Sequence, residues 1–187
     1  IYGQSGSGKS TFVNLLTRLI KPSSGQIFID DVEIENLNDA RKYQNFFNIT
    51  SQDTFLLNGT IKDNIVFGSQ SKISTKTLDD AIKFARLEEM LAELPNGIET
   101  DTGLTFKKLS SGQKQRITIA RSIYLDREIL IFDEATNALD EENEKIIIEN
   151  ICKLKLKKTI IIISHNLENL SKCDVIYSLK KGKLIKN

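Results

Sequence analysis

The chain opens IYGQSGSGKST, Ile1 to Thr11, and this stretch constrains it more than any other. Gly3, Gly8, Lys9 and Ser10 fit the spacing G-x-x-x-x-G-K-[ST], that of a phosphate-binding loop. The spacing has a physical reason. A triphosphate demands many N–H donors at close range, so the backbone must turn tightly beside it. Gly3, Gly6 and Gly8 permit that turn, because glycine tolerates positive φ and carries no Cβ. With Gln4, Ser5, Ser7 and Thr11 they supply a nest of N–H groups leading into a helix N-terminus, which is an anion site. Lys9 offers a point charge to the β- and γ-phosphates, and the Ser10 hydroxyl can ligate Mg²⁺. The plain alternative is a Gly/Ser linker. Against it, Phe12, Val13, Leu15, Leu16, Leu19 and Ile20 follow at helical spacing.

Downstream, apolar runs alternate with helical patterns. Gln26 to Asp30 alternates as a strand, and Asp30-Asp31 starts a turn. Asn38 can cap a short helix through Tyr43, and Phe46 to Thr50 reads as a strand running into Ser51 and Gln52. A loop with Gly59 and Gly68 as punctuation occupies 53–68. Ser71 to Leu94 is helical, with a capping box at Thr77 and Asp80, and Pro95-Asn96-Gly97 ends it. Ser110-Ser111-Gly112 opens another helix. Ile129 to Phe132 is a continuous apolar run ending in Asp133-Glu134, as suits a parallel strand covered on both faces. Asp140 can cap a helix over Glu141 to Cys152. Thr159 to Ser164 and Val175 to Leu179 are further strands, and Lys181-Gly182 is a hairpin turn. The fold class is α/β: a P-loop core with a mainly parallel sheet flanked by helices, plus an inserted helical subdomain. The core comprises 1–52 and 126–187, the subdomain 53–125.

The 187 residues suit one domain that buries about 70% of its unfolded surface. Net charge is +1, so no basic field argues for a nucleic-acid partner. The lysines of 153–158 and 180–186 read as solvated faces. No apolar run approaches the ~18 residues of a membrane span. Cys152 and Cys173 match no metal or redox spacing and read as buried or free thiols in a reducing compartment. Only Ile1 and Tyr2 precede the phosphate loop, where a strand of about five residues is usual, so the chain reads as a fragment cut inside an element.

Asp133 and Glu134 stand at the C-terminal end of a strand, where open α/β sheets bind ligands. An Asp there can hold Mg²⁺, and the adjacent Glu can act as general base toward water. Upstream, LSSGQ by itself is a helix N-cap with a flexible turn. LSSGQKQRITIARS followed by ILIFDEAT is similar, however, to the signature motif and Walker B of ATP-binding cassette (ABC) ATPases. With the phosphate loop, the resemblance covers nearly the whole chain. Gln52 falls where that family has its Q-loop. Asn137-Ala138-Leu139-Asp140 resembles its D-loop, and Ile163-Ser164-His165 its switch histidine.

The resemblance implies a mechanism. ATP and Mg²⁺ are the expected ligands, with Ser10, Gln52 and Asp133 toward the metal and Glu134, Gln52 and His165 toward the attacking water. Two such domains pair head to tail, as a homo- or heterodimer. Leu109, Ser110, Ser111, Gly112 and Gln113 of one then close on ATP held by the other. A lone histidine is more often structural, but the ISH context points His165 at the γ-phosphate. QDTFLL…GTIKDNI and LPNGIET resemble the exporter class, whose ATPase is usually fused behind a transmembrane domain on the same chain and lies at the cytoplasmic face of a membrane. The loop from Asp53 to Gly68 would receive that domain. Ser111 and Leu104 depart from the family pattern, which usually has Gly and, in exporters, Glu. Reduced rather than absent activity is expected from Ser111, and the cross-subunit contact of the Leu104 segment is in doubt. The adenine-stacking aromatic lies upstream of Gly3 in the family, and Tyr2 is too close to it to serve. Alternatives are a soluble ABC ATPase of DNA repair, chromosomes or translation, and a non-catalytic ATP-gated dimerisation module. The first of these, in its coiled-coil form, places hundreds of residues between phosphate loop and signature. The second needs a broken Walker B or switch.

Overall fold

In the computed structural model, which describes residues 1–69, 73–105 and 109–187 with the side chains at 104 and 105 excepted, the phosphate loop runs straight into α1 (Lys9–Leu16). A hairpin of β1 (Phe28–Ile29) and β2 (Val32–Glu33) follows, then α2 (Ala40–Gln44) and β3 (Phe47–Ser51). A run of helices comes next: α3 (Ile61–Val66), α4 (Thr75–Phe84), α5 (Glu88–Glu93), α6 (Thr102–Thr105) and α7 (Ser111–Leu125). The chain closes with β4 (Ile129–Asp133), α8 (Glu141–Lys153), β5 (Thr159–Ile163) and the hairpin β6 (Tyr177–Lys180) and β7 (Lys183–Lys186).

The central sheet is parallel, in the order β3-β4-β5. Its strands are apolar throughout because both faces are covered. Leu130, Phe132 and Ile162 face one core with Ile117 and Ile119 of α7 and Ile147 and Ile151 of α8. Ile131 and Ile163 face the other, with Val13 of α1, Ile34 and Tyr43. Ile131 and Phe132 are essentially inaccessible, and each such side chain contributes about 1.5–3 kcal/mol by leaving water. Ile1 and Tyr2 thread between the end of β5 and β6. Ser164 donates its N–H to the Ile1 carbonyl, and Tyr2 exchanges backbone bonds with Tyr177 and Leu179. The phosphate loop is thereby launched from the same edge at which β3, β4 and β5 end.

Several sequence expectations shift. Helix α1 ends at Leu16, and Leu19 and Ile20 lie beyond it, exposed, rather than on its buried stripe. Asp39, not Asn38, caps α2, accepting from the Arg41 and Lys42 N–H groups. The stretch 53–68 is not all loop. It holds α3, opened by a reciprocal capping box of Thr60 and Asp63. The long helix expected from Ser71 to Leu94 is two, α4 and α5, divided at Arg86, which takes φ 54. Ser74 caps the first, through the N–H of Thr77, so the Thr77–Asp80 box is displaced by one turn. The Ser71 start and the Leu104 side chain lie outside the described residues. The strand expected over Val175 to Leu179 runs instead over Tyr177–Lys180 (β6), the first arm of an antiparallel hairpin turning at Lys181-Gly182, as its turn residues required. Cys152 and Cys173 are half-buried free thiols.

Candidate active site

Sheet register assembles the site. Ser51, Asp133 and Ile163 pair in one row across β3, β4 and β5. The residues that follow, Gln52, Glu134 and Ser164-His165, therefore leave the sheet together. Beside them Tyr2 bridges Ser164, so Gly3 starts at the same level. Between these ends lies a cleft of about 600 Å³. The phosphate loop and α1 line it with Ser5, Gly6, Gly8, Lys9, Ser10 and Thr11, and the strand ends line it with Gln52, Asp133 and Glu134.

The loop is shaped by its glycines for two different reasons. Gly6 and Gly8 hold φ of 75° and 103°, left-handed values that a side chain disfavours. Gly3 is needed for space: a Cβ there would stand 2.8 Å from the Leu179 carbonyl and 2.7 Å from Ser7 Oγ. Gly8 caps α1 without a side-chain bond, whereas the N-termini of α3, α7 and α8 are closed by Thr60, Ser110 and Asp140. The first-turn N–H groups of α1 have no intrahelical acceptors, and Ser7 Oγ is buried without a partner. A glycine-built turn ending in an open helix N-terminus, with a buried lysine beside it, fits a polyphosphate.

Lys9 is buried to 8% exposure. Its Nζ donates to the carbonyls of Gly3 (2.9 Å) and Gln4 (3.1 Å) and stands 3.5 Å from Glu134 Oε1. The other Glu134 oxygen accepts from Asn137 Nδ2 at 2.8 Å, and His165 Nδ1 lies 3.9 Å from it. Glu134 has φ 52, unusual for a side chain with a Cβ. Its N–H donates to the Ile163 carbonyl at 2.9 Å, tying that conformation to β5. Burial, then the neighbouring Glu134, pushes the Asp133 carboxyl above its ordinary range, and Lys9 works against both. Two carboxyls side by side at a strand end, one desolvated, are a donor set for a hard divalent cation.

The signature residues stand apart from this cleft. Leu109 is in the core. Ser110 Oγ accepts from the Gln113 N–H (3.1 Å) and Gln113 Oε1 from the Ser110 N–H (2.8 Å), the capping box that opens α7. Ser111 is the first residue of α7 and exposed. A Cβ on Gly112 would meet the Ala138 carbonyl at 2.8 Å. Asp140 caps α8 through the Asn143 N–H at 3.0 Å. Two residues that lie within the quoted motif stretches but were given no role there also matter. Gln115 is fully buried and bonds the 134–138 loop. Asn64, equally buried, accepts from Arg121 Nη2 at 2.9 Å. The legible signal was a polar residue within a core-facing stripe, since Gln115 falls with Gly112 and Ile119 on one side of α7.

The model of the ABC transporter family matches residues 1–137. The chain belongs to the ABC transporter family. It is 39% identical over 99% of its length to an ATP-dependent lipid A-core flippase of Pseudoalteromonas atlantica, covering 32% of that protein. It is 41% identical over 99% of its length to the ABC-type transporter fsqE of Aspergillus fumigatus, covering 14%. Among solved structures, a bacterial Atm1-family ABC exporter with ATP bound superposes with a TM-score of 0.92 at 37% identity, over 98% of this chain and 32% of that one. This ABC chain thus spans about a third or less of such relatives. Among its described residues no helix is long and apolar enough to cross a membrane.

Proposed function

We propose that the chain is the ATP-binding and hydrolysing part of an ABC exporter. One observation carries the reading: a single register row delivers Gln52, Asp133 and Glu134 to the wall of a cleft whose other side is the phosphate loop. The ATP-bound exporter of the same fold supports it.

On this reading the loop N–H groups from Gly3 to Thr11 and the Lys9 ammonium bind the β- and γ-phosphates. Ser10, Asp133 and Gln52 hold Mg²⁺, which when bound neutralises charge shared between those phosphates. Glu134 accepts a proton as water oxygen bonds to the γ-phosphorus. The bond from that phosphorus to the β–γ bridging oxygen breaks, and ADP leaves with the electron pair. His165, adjacent to Glu134, orients the water and the γ-phosphate. Ser110 to Gln113 serve the nucleotide of a second ABC domain, identical or homologous, in a head-to-tail dimer, and Asp140 lies at that interface. The chain divides into an α/β core, 1–52 and 126–187, and a helical part, 53–125. The stretch from Asp53 to Gly68 faces a transmembrane domain, at the cytoplasmic side of a membrane.

The test is MgATP binding to the full-length protein carrying Lys9→Ala. Losing a charged, buried hydrogen-bond donor of about 1.5–3 kcal/mol should weaken binding by roughly tenfold to a hundredfold. Unchanged affinity would remove Lys9, and with it the phosphate loop, from the nucleotide site.

A further inference from the structure

Gln115 is a fully buried amide on α7, and both ends of it are spent on one loop. Its Oε1 accepts the Ala138 N–H at 3.0 Å, and its Nε2 donates to the Glu134 carbonyl at 3.4 Å. Three residues earlier on the same helix, Gly112 approaches the Ala138 carbonyl so closely that no Cβ fits between them. Helix α7 therefore grips residues 134–138 at both of their ends, and each contact is to backbone. Backbone contacts fix where the main chain runs rather than which side chain it carries.

What that loop carries makes the grip consequential. Glu134 holds a left-handed φ of 52, a conformation that persists where the surroundings enforce it. Its amide is tied to β5 through Ile163. Its carbonyl faces Gln115 and the Asn137 N–H (3.3 Å), and the Asn137 side chain in turn holds the Glu134 carboxylate. Without Gln115, the Ala138 amide would lie beside an apolar helix face with no acceptor, and relaxation of the loop toward water would carry Glu134 with it.

We infer that Gln115 is a positioning residue, fixing the Glu134 backbone and the 137–138 turn to the signature helix so that the Glu134 carboxylate is aimed at the cleft. The inference rests on the hydrolytic reading of that cleft. It also makes the signature turn and Glu134 one rigid unit, joined through a buried side chain that does not line the cleft.

The experiment uses the full-length protein with Gln115→Met, which keeps length and volume and removes both hydrogen bonds. ATPase kinetics and amide hydrogen exchange are read on the same samples, with Glu134→Gln as control. The expected result is a kcat at least tenfold lower with KM for ATP within about twofold, and faster exchange confined to 134–139. Should the variant fail to fold, exchange in the wild-type protein decides. The Ala138 amide must then be protected well beyond an open loop. Wild-type kcat and unchanged exchange in Gln115→Met, or an unprotected Ala138 in the wild-type protein, overturn the inference. Hydrolysis that survives in Glu134→Gln would instead sink the reading of the cleft, while the exchange measurement still shows whether Gln115 holds the loop.

Discussion

Asp133 sits half-buried at the end of β4, and desolvation, then the adjacent Glu134, lifts its carboxyl above the usual range against the pull of Lys9. A carboxyl raised in the folded state is penalised there once ionised. The cost is absent at pH values below the ordinary carboxylate range. It grows as pH climbs through the raised value and is complete above it. Asp133→Asn should therefore raise the melting temperature at neutral pH without nucleotide, and the advantage should shrink as pH falls toward 4. On the proposed role of Asp133, added MgATP should reverse the ranking, because the cation would draw on the ionised carboxylate of the wild type. Thermal denaturation across pH, with and without MgATP, checks both arms. Asp63 behaves oppositely, lowered first by the Thr60 backbone N–H and then by its hydroxyl, so its contribution is lost on acidification.

Between elements, α3 and α7 are joined through a side-chain network centred on Asn64 and Arg121. Asn64 Oδ1 accepts from the Leu57 N–H (2.8 Å) and Arg121 Nη2 (2.9 Å). Its Nδ2 donates to the carbonyls of Leu57 and Thr60, each at 3.0 Å. Arg121 Nε reaches the Asn64 carbonyl at 2.6 Å and Nη1 the Phe55 carbonyl at 3.1 Å, with Phe67 packed on the guanidinium. Burial lowers the guanidinium pKa. Asn64→Ala leaves buried backbone groups and part of that cation unpaired, and should cost about 2–4 kcal/mol by denaturant unfolding. It should also loosen the 55–67 stretch, seen as faster amide exchange there. This network was not legible in the sequence. Asn and Arg are ordinary surface residues until tertiary packing buries them, and the run around Asn64 reads as a loop because α3 spans only Ile61–Val66, too short to show a period.

At the scale of the whole molecule, the apolar runs of β4 and β5 made the parallel sheet legible. The turn residues made the boundaries legible at Asp30-Asp31, Ser110 and Asp140. What the sequence left out was set by register and by long-range polar contacts: Gln115 reaching the 134–138 loop, Arg86 splitting the expected helix, Ser74 rather than Thr77 as the cap. The site residues were named from motif spacing, and geometry now joins Lys9, Gln52, Asp133, Glu134 and His165 at one sheet edge, while Ser110 to Gln113 lie apart from the cleft. In the proposed head-to-tail dimer these residues would serve the nucleotide of the second domain. On the proposed function, this end of the sheet hydrolyses ATP with Glu134 as base. ATP turnover and ATP binding by the full-length protein, wild type against Glu134→Gln, test it directly. Turnover should fall by about 10²–10⁴-fold in Glu134→Gln with binding retained; turnover near wild type in the variant would contradict the role of Glu134 as base.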